Sequence, residues 1–279
     1  MSPSQRRAAV KHLMRRFHVS ERRACAVVGQ YRSTNRYQPV PSDFEERLVV
    51  AMRRLADAHP RYGYRRVHAL LVRDGWSVNV KRVERLWRAE GLRVPARHGP
   101  NGQKALGADE NSAWALPAVH LNHVWSYDFV SFRTRNGSKV RILNVVDEFT
   151  RIAFEPRVAL SIGSNDVIAH LEQLFASQGS PSMIRSDNGR EFTAESVQTW
   201  LRTRGVEPVF IAKASPQQNC YVERFNGSMR DELLHGEVFH SITEARVLIT
   251  QWVEQYNTFR PHRALGMRTP YDFAKDFTA

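Results

Sequence analysis

Cysteine, long apolar runs and acidic charge are all in short supply in this chain. Two cysteines among 279 residues, Cys25 and Cys220, sit in no metal-ligand spacing and are too few for a disulfide framework. They point to a reducing compartment. No apolar stretch approaches the ~18 residues that a membrane helix needs; Leu48–Met52, among the longest, stops at Arg53. The expectation is a chain with no membrane span and no secretory leader. Hydrophobic residues at 42% and charged residues at 25% exclude a wholly disordered or fibrous protein and allow a sizeable core in one large or two ordinary domains.

Acid is the scarcer charge: 28 Asp and Glu against 41 Lys and Arg, a net +13. The imbalance is local. Residues 1–100 hold 22 basic and 8 acidic residues, and residues 101–279 hold 19 and 20. A basic segment joined to a near-neutral remainder is the pattern of a nucleic-acid-binding arm attached to something else.

The basic segment has helical periodicity. Ala8, Ala9, Leu13 and Phe17 predict the apolar face of a first helix, and Ser20 a cap for a second that ends near Gly29. Ser42 with Glu45 reads as a capping box, followed by Phe44, Leu48, Val49, Met52, Leu55 and Ala56 on one helix face. Val67, Leu70 and Leu71 mark the next helix, closed by Asp74-Gly75. Asn79 caps a third, with Val80, Val83, Leu86 and Trp87 inward and Lys81, Arg85 and Arg88 on the other face. A short helix with a basic stripe suits recognition of a DNA groove. Arg61, Arg65, Arg66 and Arg82 add phosphate-binding capacity. Helix–turn–helix-like units are therefore expected over 1–37 and 42–92, forming a DNA-binding region 1–92. A Pro- and Gly-marked linker over 93–119 follows.

From residue 120 the pattern changes to strands at 124–132, 140–146 and 152–158, an antiparallel meander turned at Asn136-Gly137. Helices at 166–177 and 194–204 then alternate with extended segments at 183–186 and 206–212. A polar loop from Lys213 to Gln218 leads to helices at 220–235 and 243–256. The sum is a mixed five-stranded α/β sheet with helices on both faces.

Three carboxylates stand out in this half. Asp128 lies inside an apolar strand, where an acid is unfavourable unless it is paired or binds a metal. Asp187 follows a short strand and opens Asp187-Asn188-Gly189. Glu223 lies in the first turn of a helix, thirty-five residues beyond Asp187. Each alone has an ordinary explanation, as a satisfied acid, a turn or a helix-dipole partner. Together they can converge at one sheet edge and hold two divalent metals ~4 Å apart for phosphodiester chemistry. Their hard oxygen ligands favour Mg²⁺ or Mn²⁺. Asp147 is the rival for the first position. Tyr127 and Tyr221 flank the acids, but no Arg/His/Arg set accompanies them as a tyrosine recombinase would require.

These motifs, Trp125-Ser-Tyr-Asp128, Ser186-Asp-Asn-Gly189 with Glu191-Phe192, and Ser215-Pro-Gln-Gln-Asn-Cys-Tyr-Val-Glu223-Arg-Phe-Asn-Gly, resemble the signatures of DDE transposases. The match is to the second-reading-frame (OrfB) proteins of insertion-sequence family three. Arg61-Tyr-Gly-Tyr-Arg65 and the closing Tyr256-Asn257 to Arg260-Pro261-His262 segment fit the same pattern, so the likeness runs from about residue 5 to the end. It implies an RNase H-like core over 120–279 shared with retroviral integrases, whose His/Cys zinc domain this chain does not match. It implies Asp128, Asp187 and Glu223 as catalytic and metal-binding residues with two Mg²⁺ or Mn²⁺ ions. Arg230, seven residues past the Glu, is implied as a DNA contact, and Lys213 is counted with it. The implied activity is metal-dependent cleavage and strand transfer at the element's inverted repeats and target DNA. The implied functional species is a multimer assembled on DNA with the product of an upstream frame, or a fusion to it. A cytoplasmic, nucleoid-associated bacterial protein is expected. The alternatives are an RNase H-like nuclease that does not join strands and a non-enzymatic DNA-binding regulator.

Overall fold

The computed structural model describes residues 1–37, 42–95, 117–211 and 219–277. Lys213 and most of the segment expected as a linker lie outside the described residues. The chain divides into two compact units, Met1–Val50 and Ala51–Ala279, so that residues 51–92 cluster with the sheet and not with the first fifty.

In the first unit, Ser2 and Gln5 form a reciprocal capping box at the start of α1 (Pro3–Phe17). Ser20 accepts the Arg23 N–H at the start of α2 (Glu21–Val28), and Gly29, with φ +65°, ends it. A third short helix, α3 (Arg32–Arg36), was not expected. It is tied back by Glu21, which accepts from Asn35 at 2.9 Å and from Arg36 at 2.6 Å. The small core is Val10, Ala24 and Cys25, flanked by Leu13, Val19 and Val28. The inward stripe of α1 therefore runs through Val10 and Leu13; Ala8 and Phe17, expected inside, are exposed.

Helix α4 (Asp43–Ala58) carries its buried stripe at Leu48, Met52 and Leu55, as its periodicity requires. In the second unit, α5 (Tyr64–Arg73) buries Val67, Leu70 and Leu71. Helix α6 (Val80–Ala89) buries Val83, Leu86 and Trp87 beneath an Asn79 side-chain cap on Arg82 N–H at 2.8 Å. Val80, at the first helical position, is exposed instead of inward.

The sheet has the order β3-β2-β1-β4-β5. Strands β1 (Val124–Arg133), β2 (Lys139–Asp147) and β3 (Arg157–Ala159) form the antiparallel meander; β4 (Met183–Ser186) and β5 (Glu207–Phe210) add in parallel on the other side of β1. The third strand is much shorter than the expected 152–158. A change of register explains the difference: Ala153 stands opposite Val146 in an isolated bridge, held by Asp147 N to Ile152 O and Phe154 N to Val145 O, both 2.9 Å, whereas Arg157 stands opposite Leu143, one residue out of step. The Asn257 side chain binds the outward-facing Ala153 backbone, accepting from N at 3.0 Å and donating to O at 2.7 Å.

Alternation along the strands splits the core into two layers. Trp125, Tyr127, Leu143, Val145 and Ile184 pack against α7 (Ser164–Gln178) and α9 (Glu195–Thr203) through Val167, Leu171, Leu174, Val197 and Leu201. Val130, Ile142 and Val146 pack on the opposite face against α10 (Cys220–Met229) and α11 (Ile242–Thr258), through Val222, Phe225, Met229, Ile249 and Trp252. The helix expected to run to residue 235 is α only to Met229 and continues as a single π turn, Arg230–Leu234. Among the described residues no helix is long and apolar enough to cross a membrane.

Candidate active site

Strand register fixes the first acid. Trp125 and Tyr127 face α7, so Ser126 and Asp128 face α10, and Asp128 lies opposite Asn144 of β2. Phe129 N–H donates to Asp128 Oδ1 at 2.7 Å, and the Asn226 amide of α10 donates to Oδ2 at 2.9 Å. Asn226 in turn accepts from Asn144 Nδ2 at 2.7 Å. A continuous chain of three polar side chains thus crosses from β2 through α10 to β1 and fixes the Asp128 carboxylate.

The second acid is held by its own turn. Asp187 follows β4, and its Oδ1 accepts from Gly189 N at 2.9 Å. A Cβ on residue 189 would stand 2.9 Å from that oxygen and 3.3 Å from the Phe192 ring, so glycine is required by space. The following short helix, α8 (Arg190–Thr193), buries Phe192 against Tyr127, with ring centroids 4.1 Å apart, and stacks it on Phe129 at 4.9 Å. Arg141 reaches across from β2 to Glu191 at 2.6 Å and lies over the Phe129 ring. The motif residues Glu191 and Phe192 therefore anchor the Asp187 turn to the sheet. Asn188 extends the anchoring to the end of β5 by donating to Ile211 O at 2.9 Å.

Glu223 lies exposed on the first turn of α10, one turn before Asn226 and two before Arg230. The three acids feel one another. Partial desolvation at the site, and then the charges of Asp128 and Asp187, push the Glu223 carboxyl above its ordinary range, while Arg230 opposes them. Burial also raises Asp128, with Asp187 adding to it and the Phe129 N–H, Asn226 and Arg230 holding it down. The structure brings Asp128, Asp187, Glu223 and Arg230 into one electrostatic neighbourhood. Among the described residues no three His, Cys, Asp or Glu side chains close into a ready-made metal cage. The donor chemistry nonetheless fits a hard divalent cation: all three groups are carboxylates, and the neighbouring negative charge that raises Asp128 and Glu223 is one that a cation would relieve.

The rivals have other occupations. Asp147 is fully buried and accepts from Thr150 N and Oγ1, both at 2.7 Å, and from Asn122 N at 3.0 Å, so it caps the turn after β2. Tyr127 is buried against Phe192, and burial holds its phenol protonated far above the usual range. The Tyr221 ring lies under the Arg151 guanidinium at 3.9 Å.

Of the basic residues expected on DNA, Lys81, Arg82, Arg85 and Arg88 are exposed on α6, with Arg88 paired to Glu84 at 2.6 Å. Arg65 is exposed beside the Tyr64 ring, 4.8 Å from its centroid. Arg61 and Arg66 are engaged elsewhere: Arg61 Nε donates to Asp231 O at 3.0 Å, and Arg66 stands 3.6 Å from the Glu232 carboxylate.

Sequence reasoning passed over Asn144 and Asn226; the one available signal was the i, i+3 spacing of Asn226 from Glu223. It also passed over the buried Glu148–Arg185 pair, at 3.3 Å, in which Arg185 sits two residues before Asp187. Ser126 also donates to Glu148, and burial pushes that carboxyl up to about 7.

Fold and site together define an integrase-core protein with a helix–turn–helix-like module. Integrase core domain models match residues 118–216 and 204–270, and an HTH-like domain model matches 43–99. An uncharacterized 31.7 kDa protein of insertion element IS407 from Burkholderia multivorans is 39% identical, covering 92% of this chain and 91% of the relative. An uncharacterized 39.2 kDa protein of insertion element IS476 from Xanthomonas euvesicatoria is 35% identical, covering 99% and 79%. The putative transposase InsK of IS150 from Escherichia coli is 27% identical, covering 76% and 77%. A chain of the simian T-cell lymphotropic virus intasome, solved by cryo-electron microscopy in complex with a PP2A regulatory subunit, shares the fold at 15% identity and a TM-score of 0.50, over 80% of this chain and 74% of that one. The chain belongs to the insertion-sequence transposases of family three with an integrase core.

Proposed function

We propose that this chain cuts DNA at the ends of its insertion element and joins the freed ends to target DNA. Asp128, Asp187 and Glu223 are the catalytic carboxylates, and the observation that carries the reading is their electrostatic coupling at the meeting of β1, β4 and α10. The same three residues would hold two Mg²⁺ or Mn²⁺ ions. When bound, such ions activate an oxygen nucleophile and stabilise the leaving oxygen of a phosphodiester displacement.

The chain's own residues supply the rest. Asn226 and the Phe129 N–H fix the Asp128 carboxylate in one rotamer, and the Asp187–Gly189 turn fixes the second acid. Arg230 carries a positive charge on the face of Glu223, where a DNA phosphate is approached. The exposed stripe of α6 binds phosphates of the duplex without needing the triad. Cleavage breaks a P–O3′ bond on attack by water. Joining forms a new P–O bond on attack by the freed 3′-hydroxyl on a target phosphodiester and breaks that diester's P–O3′ bond, releasing a target 3′-hydroxyl, with no covalent protein intermediate. Residues 1–92 serve as the DNA-binding region of this scheme and 120–279 as its catalytic part. Two DNA ends require at least two active sites, so the working species is a multimer on DNA, completed by the upstream-frame product or a fusion to it.

The test uses labelled duplexes carrying the DNA that flanks the reading frame, with Mg²⁺ or Mn²⁺. Glu223→Gln, Asp187→Asn and Asp128→Asn each abolish cleavage and joining while duplex affinity stays within about twofold, because the α6 stripe is untouched. Joining by Glu223→Gln at the parental rate refutes the triad. Hydrolysis by the parent protein without joining makes it a nuclease, and binding without either reaction makes it a regulator.

A further inference from the structure

The π turn after α10 is where the HTH-like module meets the catalytic core. π turns are frequent at functional positions, and this one carries Asp231 and Glu232. Glu232 is almost fully buried and binds Arg260 as a fork: Arg260 Nε lies 3.1 and 3.0 Å from the two carboxylate oxygens, and Nη2 lies 2.8 Å from one of them. Arg260 also donates to Ser228 Oγ of α10 at 3.0 Å. Arg66, from the first turn of α5, approaches the same carboxylate at 3.6 Å. One acid is thus shared by two largely buried guanidiniums.

The contacts around it join the same two parts. Arg61 donates to Asp231 O at 3.0 Å and to Pro95 O at 2.9 Å. His59 stacks on Tyr62 and meets the Phe259 ring, with centroids 4.6 and 5.0 Å away. Arg73 donates to Phe259 O at 3.1 Å and lies over its ring at 4.4 Å. Tyr62 is buried, and burial followed by the Glu232 charge pushes its phenol up to about 12. The Arg61-Tyr-Gly-Tyr-Arg-Arg66 run and the Arg260-Pro-His segment thereby form two halves of one joint around Glu232.

We propose that Glu232 is a positioning residue: it clamps the HTH-like module to the end of the catalytic helix, so that DNA held on α6 reaches Asp128, Asp187 and Glu223 in fixed register. The delivery step rests on the function proposed above; the clamp does not. Removing the Glu232 charge leaves Arg66 and Arg260 facing each other in a buried joint, and a buried ion pair broken on one side is costly. The joint then opens while both the α6 surface and the triad remain intact.

The full chain is compared with Glu232→Gln, the milder Glu232→Asp, Arg66→Gln and the Arg66→Gln/Glu232→Gln double variant. The first readout is amide hydrogen exchange. Glu232→Gln speeds exchange over residues 59–73 and 228–234 by at least about tenfold and leaves β1, β2 and β4 protected. The second is activity. Duplex affinity stays within about twofold while the joining rate at saturating DNA falls about ten- to a hundredfold, the cost of misplaced reactants. Glu232→Asp recovers part of that rate, and the double variant loses no more than the worse single one, because both residues act through one ion pair. Unchanged exchange in 59–73 overturns the clamp. So does a loss of duplex affinity as large as the loss of joining, which would make Glu232 a general determinant of folding or binding. If Glu232→Gln fails to fold, Glu232→Asp and Arg66→Gln decide by the same readouts. If the parent joins no DNA, the function proposed above fails, and the exchange experiment still decides the clamp.

Discussion

Substituting Asn226 separates the placement of the first carboxylate from its chemistry. Asn226→Ala deletes a hydrogen bond to Asp128 Oδ2 at 2.9 Å and one from Asn144 Nδ2 at 2.7 Å. The first is charge-assisted and worth roughly 1.5–3 kcal/mol, the second roughly 0.5–1.5 kcal/mol. Asn144 is already buried with its Oδ1 unpartnered, and the loss leaves its Nδ2 with the weak Met229 Sδ acceptor at 3.8 Å. The expected destabilisation is about 2–4 kcal/mol, or roughly 4–16 °C in Tm for a unit of this size. Activity falls further than stability accounts for. With Asn226 gone, the Asp128 carboxylate keeps, among the described residues, the Phe129 N–H as its hydrogen-bond donor, and if Asp128 holds a metal as proposed, loss of an outer partner costs about ten- to a hundredfold. The assay measures joining well below the variant's Tm, at several concentrations of Mn²⁺. The expected result is a higher half-saturating Mn²⁺ concentration and a lower rate. Asn226→Asp provides the contrast: it retains the acceptor for Asn144 but sets a fourth carboxylate against Asp128, so it is at least as impaired without metal and is stabilised more by added metal. A folded Asn226→Ala protein that joins DNA within twofold of the parent rate, with unchanged metal dependence, refutes the placement argument.

Two further outcomes follow from other parts of the molecule. Replacing Lys81, Arg82 and Arg85 of α6 by alanine lowers duplex affinity and flattens the slope of log affinity against log salt by about 0.9 for each phosphate no longer neutralised; an unchanged slope would remove α6 from the DNA interface. His170 is buried with Nε2 unpartnered, and burial, then Arg157, lower it to about 4. The unfolded chain takes up this proton near pH 6.5 while the folded one resists, so stability is complete above that pH and lost as pH falls towards 4. The loss approaches about 3 kcal/mol, and denaturant titrations of His170→Gln between pH 7 and 4.5 test it by showing a shallower decline than the parent.

What was legible in the sequence was mostly local. The caps at Ser20 and Asn79 and the stop at Gly29 are decided within a few residues, and each stands where the sequence places it. The strand expected at 124–132 stands as β1, Val124–Arg133, with Asp128 inside it. The stretch 152–158 misled for the opposite reason. Its residues are apolar and extended, but its register against β2 shifts by one residue between Ala153 and Arg157. No window around residue 153 contains that information. Phe17 misled in a similar way: helical spacing predicts a stripe but not its exact azimuth, and the small core of the first unit turned the stripe to Val10 and Leu13.

The acids were legible because a carboxylate in an apolar strand demands a reason. Asn226 and Asn144 raise no such demand, being neutral and common in turns, although they hold Asp128. Charge was informative for the segment and silent for the residue. The basic surplus of residues 1–100 points to DNA, but composition counts guanidiniums without identifying their partners. Arg61 is aimed at the Asp231 carbonyl and Arg66 at Glu232, while Lys81, Arg82, Arg85 and Arg88 remain exposed on α6. The same module therefore divides its arginines between two tasks, one face joining the end of α10 and the other meeting solvent. That division follows from burial: an arginine beside Tyr62 can keep its charge only by finding an acid inside the protein, and Glu232 is the acid the fold supplies there.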